Sequence, residues 1–191
     1  MGIEFIGWDE AAKILKALPD ASKEAMDQAM KEEAEFMQAR LVAKLEAGVS
    51  PSRSALSVAL GNTGPPLAGL APYVIVKKVG DAYIVGIEPK GGSSGYSMAD
   101  IAAANEEGRS YTTQMSDKQR RWFFAKLRDA GLSKPRIRGK QPPSSAGTVF
   151  HVTIPKRAWL QPTVDKYAEP AAVSTRVTAT VAEVLRKKFG W

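Results

Sequence analysis

The feature that most constrains this chain is an apolar repeat in its first quarter. Met26, Met30, Ala34, Met37, Leu41 and Leu45 step by four, four, three, four and four residues, the spacing that stacks side chains on one face of an α-helix. The repeat predicts a helix from about Asp20 or Ser22 to Ala47, with Gly48 suited to the left-handed stop. A helix of that length, ~40 Å, needs other elements packed along it. Its methionines are expected in the core, where flexible thioethers fill irregular gaps; the alternative is a seam facing a partner. Glu32, Glu33 and Glu35 fall mostly off the stripe.

Around that helix the chain alternates elements and breaks. Ile3-Glu4-Phe5-Ile6 reads as a short extended lead-in, and Trp8 to Leu18 as a short helix that Pro19 should end, since proline removes a backbone donor. Residues 48–69 are rich in Ser, Pro, Gly and Ala without a clear period, a composition found in mobile or contact-making connections. Tyr73–Val79 and Ala82–Ile87, apolar β-branched runs around Gly80-Asp81, predict a hairpin. A short helix is expected from Ala99 to about Glu106, and another from Lys118 to Ala130, capped by Ser116-Asp117. Lys134 to Ala146 reads as a basic loop, and Thr148–Ile154 as the strand completing a small antiparallel sheet. Trp159-Leu160 should anchor a last helix with Pro162 in its first turn, kinked or split at Pro170. Val164, Tyr167, Ala171, Thr175, Thr178, Ala182 and Leu185 are placed near one face of it. The fold class is therefore α+β: one domain, 1–191, with a sheet of three to five strands against the long helix and the C-terminal helix. A helical and basic-loop insertion spans 97–146.

Chemistry is hard to place on this sequence. Cysteine is absent and His151 is the single histidine, which excludes disulfides, thiolate metal sites and His-rich metal sites. His151 lies in an alternating strand-like run and is read as a strand residue without a chemical role. The glycines of 61–66 and 91–95 lack the Gly-Lys-Ser/Thr of a phosphate loop. Glu106 and Glu107 are adjacent, so on a helix they diverge and make a poor carboxylate pair. No catalytic residue, metal or cofactor is assigned, and no enzymatic activity is expected. No apolar run approaches a membrane span and the first residues lack a signal-peptide pattern, so folding in a cytosol is expected.

Charge is the strongest compositional signal. The net charge of +7 is uneven: residues 1–50 carry 6 basic and 10 acidic side chains, the remainder 21 and 10. Segment 118–140 holds nine Lys or Arg against one acid, Asp129. Lys118, Arg120, Arg121, Lys126 and Arg128 interleave with Trp122, Phe123, Phe124 and Leu127, and Arg136, Arg138 and Lys140 follow. Three readings stay open: an amphipathic helix with a solvated basic face and its aromatics in the core, a protein interface, and a nucleic-acid contact. As an interface, these eight cations would meet the acidic Glu32, Glu33 and Glu35 of another copy or of a neighbouring protein.

Three passages, in order along nearly the whole chain, resemble the tail-completion (virion morphogenesis) proteins of tailed phages, especially the Mu-like form. They are Ile3–Glu10 leading into Leu15–Pro19 and a long charged helix; Ala99–Gly108, ending Asn105-Glu106-Glu107-Gly108; and Ile154-Pro155-Lys156-Arg157-Ala158-Trp159-Leu160-Gln161-Pro162. Ser116–Phe124 is similar to the Mu-type insertion between the last two. Ala158 stands where the family often has proline, and 48–69 lacks the family's Gly-x-Leu-Arg-x-Ser-Ile run. The resemblance implies a non-enzymatic neck subunit of the virion, assembled in the bacterial host cytoplasm. It would form a homo-oligomeric ring around the DNA channel, a hexamer first and a dodecamer second, between head-connector (portal-side) and tail-terminator or tail-tube proteins. The alternative is a nucleic-acid-binding accessory protein using the basic 118–140 segment.

Overall fold

In the computed structural model, which describes residues 8–91, 96–132 and 149–190, the chain is α+β. The expected extended lead-in at residues 3–6 and the basic loop 134–146 lie outside those residues. The chain divides into two compact units: Met1–Leu41 with Val74–Gly86 and Gln161–Trp191, and Val42–Tyr73 with Ile87–Leu160.

The spine of the first unit is α1, Trp8–Ala47, whose last turns belong to the second unit. It runs through Pro19 without ending there, contrary to the expected break. Proline deprives the carbonyl four residues earlier of its donor, but Pro19 sits on the exposed side, where water can serve that carbonyl. Strands β1 (Val74–Val79) and β2 (Ala82–Ile87) form the expected hairpin. Gly80, at φ +60°, supplies the left-handed conformation of the tight turn. The hairpin is tied to α1 by Gln38, whose Nε2 donates to the Val74 carbonyl at 2.7 Å. Lys78 pairs with Asp27, and the Tyr83 hydroxyl donates to the same carboxylate at 3.2 Å.

Pro170 divides the C-terminal segment as expected. Helix α5 covers Leu160–Tyr167, and α6, Pro170–Phe189, starts with the proline in its first turn and stops at left-handed Gly190. (Helices α2, Ala55–Ala59, α3, Met98–Glu107, and α4, Asp117–Asp129, belong to the second unit.) Helix α6 runs antiparallel to α1: Arg176 meets Glu33, Thr180 meets Glu32 and Lys188 meets Glu24. The Arg176–Glu33 pair is bidentate, 2.7 Å from Nε and 2.5 Å from Nη2, and Nη2 also donates to the Tyr167 carbonyl at 2.8 Å. Phe36 stands edge-on to Tyr167 at 6.1 Å, with the Arg176 and Arg40 guanidinium groups 4.6 and 4.8 Å from its ring centre.

Two apolar stripes are only partly where the spacing put them. On α1, Ala34, Leu41 and Leu45 are buried, but Met26 is 47% exposed and Met30 and Met37 are half-buried. Ala21, Ala25 and Ala29 are the closed positions, at 0–1% exposure, on the side that carries Glu32 and Phe36 toward α6. Alanines let two helices approach closely; methionines at those positions would hold them apart. On α6 Ala172, Val173, Arg176, Val177, Thr180, Val181, Val184, Leu185 and Phe189 are half-buried, Leu185 among them as expected, while Ala171, Thr175, Thr178 and Ala182 are exposed.

The carboxylates that hold this unit together set its acid limit. The Lys78 ammonium holds Asp27 below the ordinary 3.8, and Lys187 holds Glu183 below the ordinary 4.5. A carboxylate lowered by folding contributes stability that is complete above its ordinary value and lost as pH falls through the lowered one. Stability should therefore be flat down to pH 4.5 and fall below it; both groups are exposed, so each step is small. Urea midpoints of the parent and Asp27→Asn between pH 6 and pH 2.5 check this. The two should differ at pH 6 and converge at the acid end.

The second unit holds α2 (Ala55–Ala59), a 3₁₀ turn (Ala68–Tyr73), α3 (Met98–Glu107), β3 (Arg109–Gln114), α4 (Asp117–Asp129) and β4 (Val149–Ile154). Both longer helices begin with a reciprocal cap, Ser97 with Asp100 and Ser116 with Gln119. In place of a single sheet of three to five strands, the described residues form two sheets of two strands, since β4 pairs antiparallel with β3 and not with the hairpin. Its partner Arg-Ser-Tyr-Thr-Thr-Gln is polar and mostly exposed, so it carries no apolar alternation to announce a strand. Residues 48–69 are organised, with Arg53 donating to the carbonyls of Gly64 at 3.0 Å and Pro65 at 3.3 Å. Helix α2 lies against α4, and α3 against the 3₁₀ turn.

Candidate functional site

Two places concentrate side chains in a way the backbone alone does not require. One is a joint between the end of α3 and the segment after β4. Arg157 donates its backbone N–H to the Asn105 carbonyl at 2.6 Å, Nη1 to Asn105 Oδ1 at 3.2 Å and Nε to the Pro51 carbonyl at 3.0 Å. Burial, and then the charge of Arg53, lower the proton affinity of this guanidinium. Glu106 Oε2 accepts the N–H groups of Trp159 at 2.8 Å and Leu160 at 3.0 Å. Those amides lead into α5, and a carboxylate of α3 takes the N–H groups that the start of a helix leaves without an intrahelical partner. Gly108 lets the strands close: a β-carbon there would lie 3.0 Å from the Lys156 nitrogen. Trp159 is buried at 3% exposure, while Leu160 is 36% exposed, so the tryptophan alone is the anchor. Along the sequence Glu106 is only half of a poor carboxylate pair with Glu107; its bonds to Trp159 and Leu160 follow only from the fold.

The other place is α4. Of the expected interface residues, Lys118, Arg121, Lys126 and Arg128 are exposed, whereas Arg120 is turned inward, its side chain 16% exposed and 3.6 Å from Asp117. The aromatics divide. Phe123 is half-buried and edge-on to Phe150 of β4 at 6.1 Å, but Trp122 is 52% and Phe124 40% exposed. The expectation that α4 turns its aromatics to the core thus holds for Phe123 only. Arg136, Arg138 and Lys140 lie outside the described residues.

The acidic residues named with them are in the first unit and have local partners. Glu33 is held by Arg176, Glu32 accepts from Gln28 at 2.9 Å and Thr180 at 3.2 Å, and exposed Glu35 is 3.7 Å from Lys31. His151 is exposed on β4 opposite Thr112. Among the described residues no group of three His, Cys, Asp or Glu is placed to hold a metal, and no helix is long and apolar enough to cross a membrane. Compared with family models, with curated proteins and with solved structures, the chain matches none.

Proposed function

We propose that this chain is a structural, non-enzymatic subunit of a tailed-phage neck, a ring-forming protein that completes the tail and joins it to the head connector around the DNA channel. The observation that carries the reading is the joint. The second and third passages of the resemblance, Ala99–Gly108 and Ile154–Pro162, are about fifty residues apart in sequence, yet Asn105, Glu106, Gly108, Arg157 and Trp159 knit them together. The side chains that make those passages distinctive hold a shape, which is what a signature in an assembly protein has to do.

Helix α6 supports self-association. It buries no side chain completely, and its stripe Ala171, Thr175, Thr178 and Ala182 faces open space among the described residues. In a ring, such a face meets a different patch on the next copy, the heterologous contact that closes cyclic assemblies. The native mass of the full chain is expected at six times the 20.6 kDa protomer, a dodecamer being second choice. Thr175→Arg should return it to the single-chain mass with an unchanged circular dichroism spectrum. Antibody labelling should mark the head–tail junction of particles. A monomer at every concentration, together with unlabelled particles, overturns the reading.

A further inference from the structure

The charge of this chain belongs to one unit. Sorted by the structural division, the first unit carries 12 basic and 13 acidic residues, a balance of −1, and the second 15 and 7, a balance of +8, so the excess resides in the second. Within it, Glu106 accepts the N–H groups of Trp159 and Leu160, Asp100 caps α3, Glu88 pairs with Lys90 and Asp117 with Arg120. Among the described residues no carboxylate pairs with Lys118, Arg121, Lys126 or Arg128. Residues 133–148 contain four cations and no acid, so that segment cannot neutralise them. Lys118, Arg121, Lys126 and Arg128 are exposed and so open to an anion from outside the chain.

The geometry of α4 narrows what that anion is. Its orientation is fixed by Phe123 against Phe150 and by its contact with α2. On the opposite side Lys118, Trp122 and Lys126 recur at every fourth residue, one cation a turn before the indole and one a turn after, ~12 Å apart along the axis. Arg121 and the small Ala125 flank the ring, and Asp129 is the one acid on that side, a turn beyond Lys126. Protein interfaces deplete charge around their aromatic anchors, whereas here the anchor is ringed by cations. An interfacial membrane helix needs a broad apolar face, yet Phe124 lies across the helix from Trp122. Cations that follow a phosphate backbone, with an open aromatic ring between them on which a base can stack, are what unpaired nucleic acid requires.

We propose that the exposed face of α4 binds single-stranded nucleic acid, Lys118, Arg121 and Lys126 contacting phosphates and Trp122 stacking on a base. The proposal goes beyond the neck reading and does not depend on ring formation. The test uses the full chain, freed of nucleic acid, with a labelled single-stranded oligothymidylate, the matching duplex, and anionic vesicles. Anisotropy should show the single strand bound in preference to the duplex, with affinity falling steeply as salt rises. Lys118→Glu with Lys126→Glu should weaken binding at least tenfold and flatten the salt dependence. Trp122→Ala should cost about 5- to 150-fold, with Trp122→Phe retaining most of the affinity. All three positions are exposed, so circular dichroism should not change. Absence of binding at low salt, preference for duplex or vesicles, or full affinity in the variants overturns the proposal. Because ring mass is measured without nucleic acid, that result would leave the neck reading standing.

Discussion

Gly108→Ala is expected to destabilise the protein by about 3–5 kcal/mol, among the costliest single substitutions in the chain. Two penalties combine. At φ +75° and ψ 148° the backbone occupies a region that is essentially glycine's own. The added β-carbon would also stand 3.0 Å from the Lys156 nitrogen and 3.2 Å from its Cα, backbone atoms that cannot move without parting the joint. Gly131 separates the two effects: its φ is +68°, but nothing lies within 4 Å of a β-carbon there. Gly131→Ala should therefore cost only the conformational part, ~1–2 kcal/mol. Urea unfolding followed by far-ultraviolet circular dichroism gives both values. Equal costs at the two positions would mean that the close approach at Lys156 carries no weight.

Leu41→Ala and Leu45→Ala should each cost about 3–5 kcal/mol, as truncation leaves a cavity where a fully buried leucine stood. Met26→Ala, at a position of the same sequence stripe but 47% exposed, should cost under ~1 kcal/mol. Ala25→Leu, which enlarges a position with 0% exposure, should cost ~1–3 kcal/mol by forcing the chain apart locally. The set is read from urea midpoints at constant slope. If Met26 proved as sensitive as Leu41, the sequence stripe and not the alanine track would be the true packing surface.

What could be read in advance was local. Ser97 and Ser116 announced their helices because a hydroxyl followed three residues later by Asp100 or Gln119 is itself the cap. Gly80-Asp81 announced the hairpin because a two-residue turn needs that backbone freedom. Pro170 split the last helix where a missing donor is tolerated. The basic character of α4 was legible for the same reason, since charge needs no partner to be counted.

Facing was not local. Met26 and Ala25 are neighbours with equal claims to the core, and the fold closes the alanine while leaving the methionine 47% exposed. Trp122 and Phe123 are likewise adjacent, and Phe150, from another element, draws one inward and leaves the other open to solvent. Strand β3 had no apolar alternation to declare it, and Glu106 gained its partners only because Trp159 and Leu160 arrive beside it. The sequence alone determined the α+β class, most helix starts and the sign of the charge, because each rests on residues within a turn or two of one another. The tertiary structure decided which faces close, which strand pairs with which, and that the net charge belongs to one unit. Those depend on surfaces meeting across long stretches of chain, and spacing along a sequence does not encode which surfaces meet.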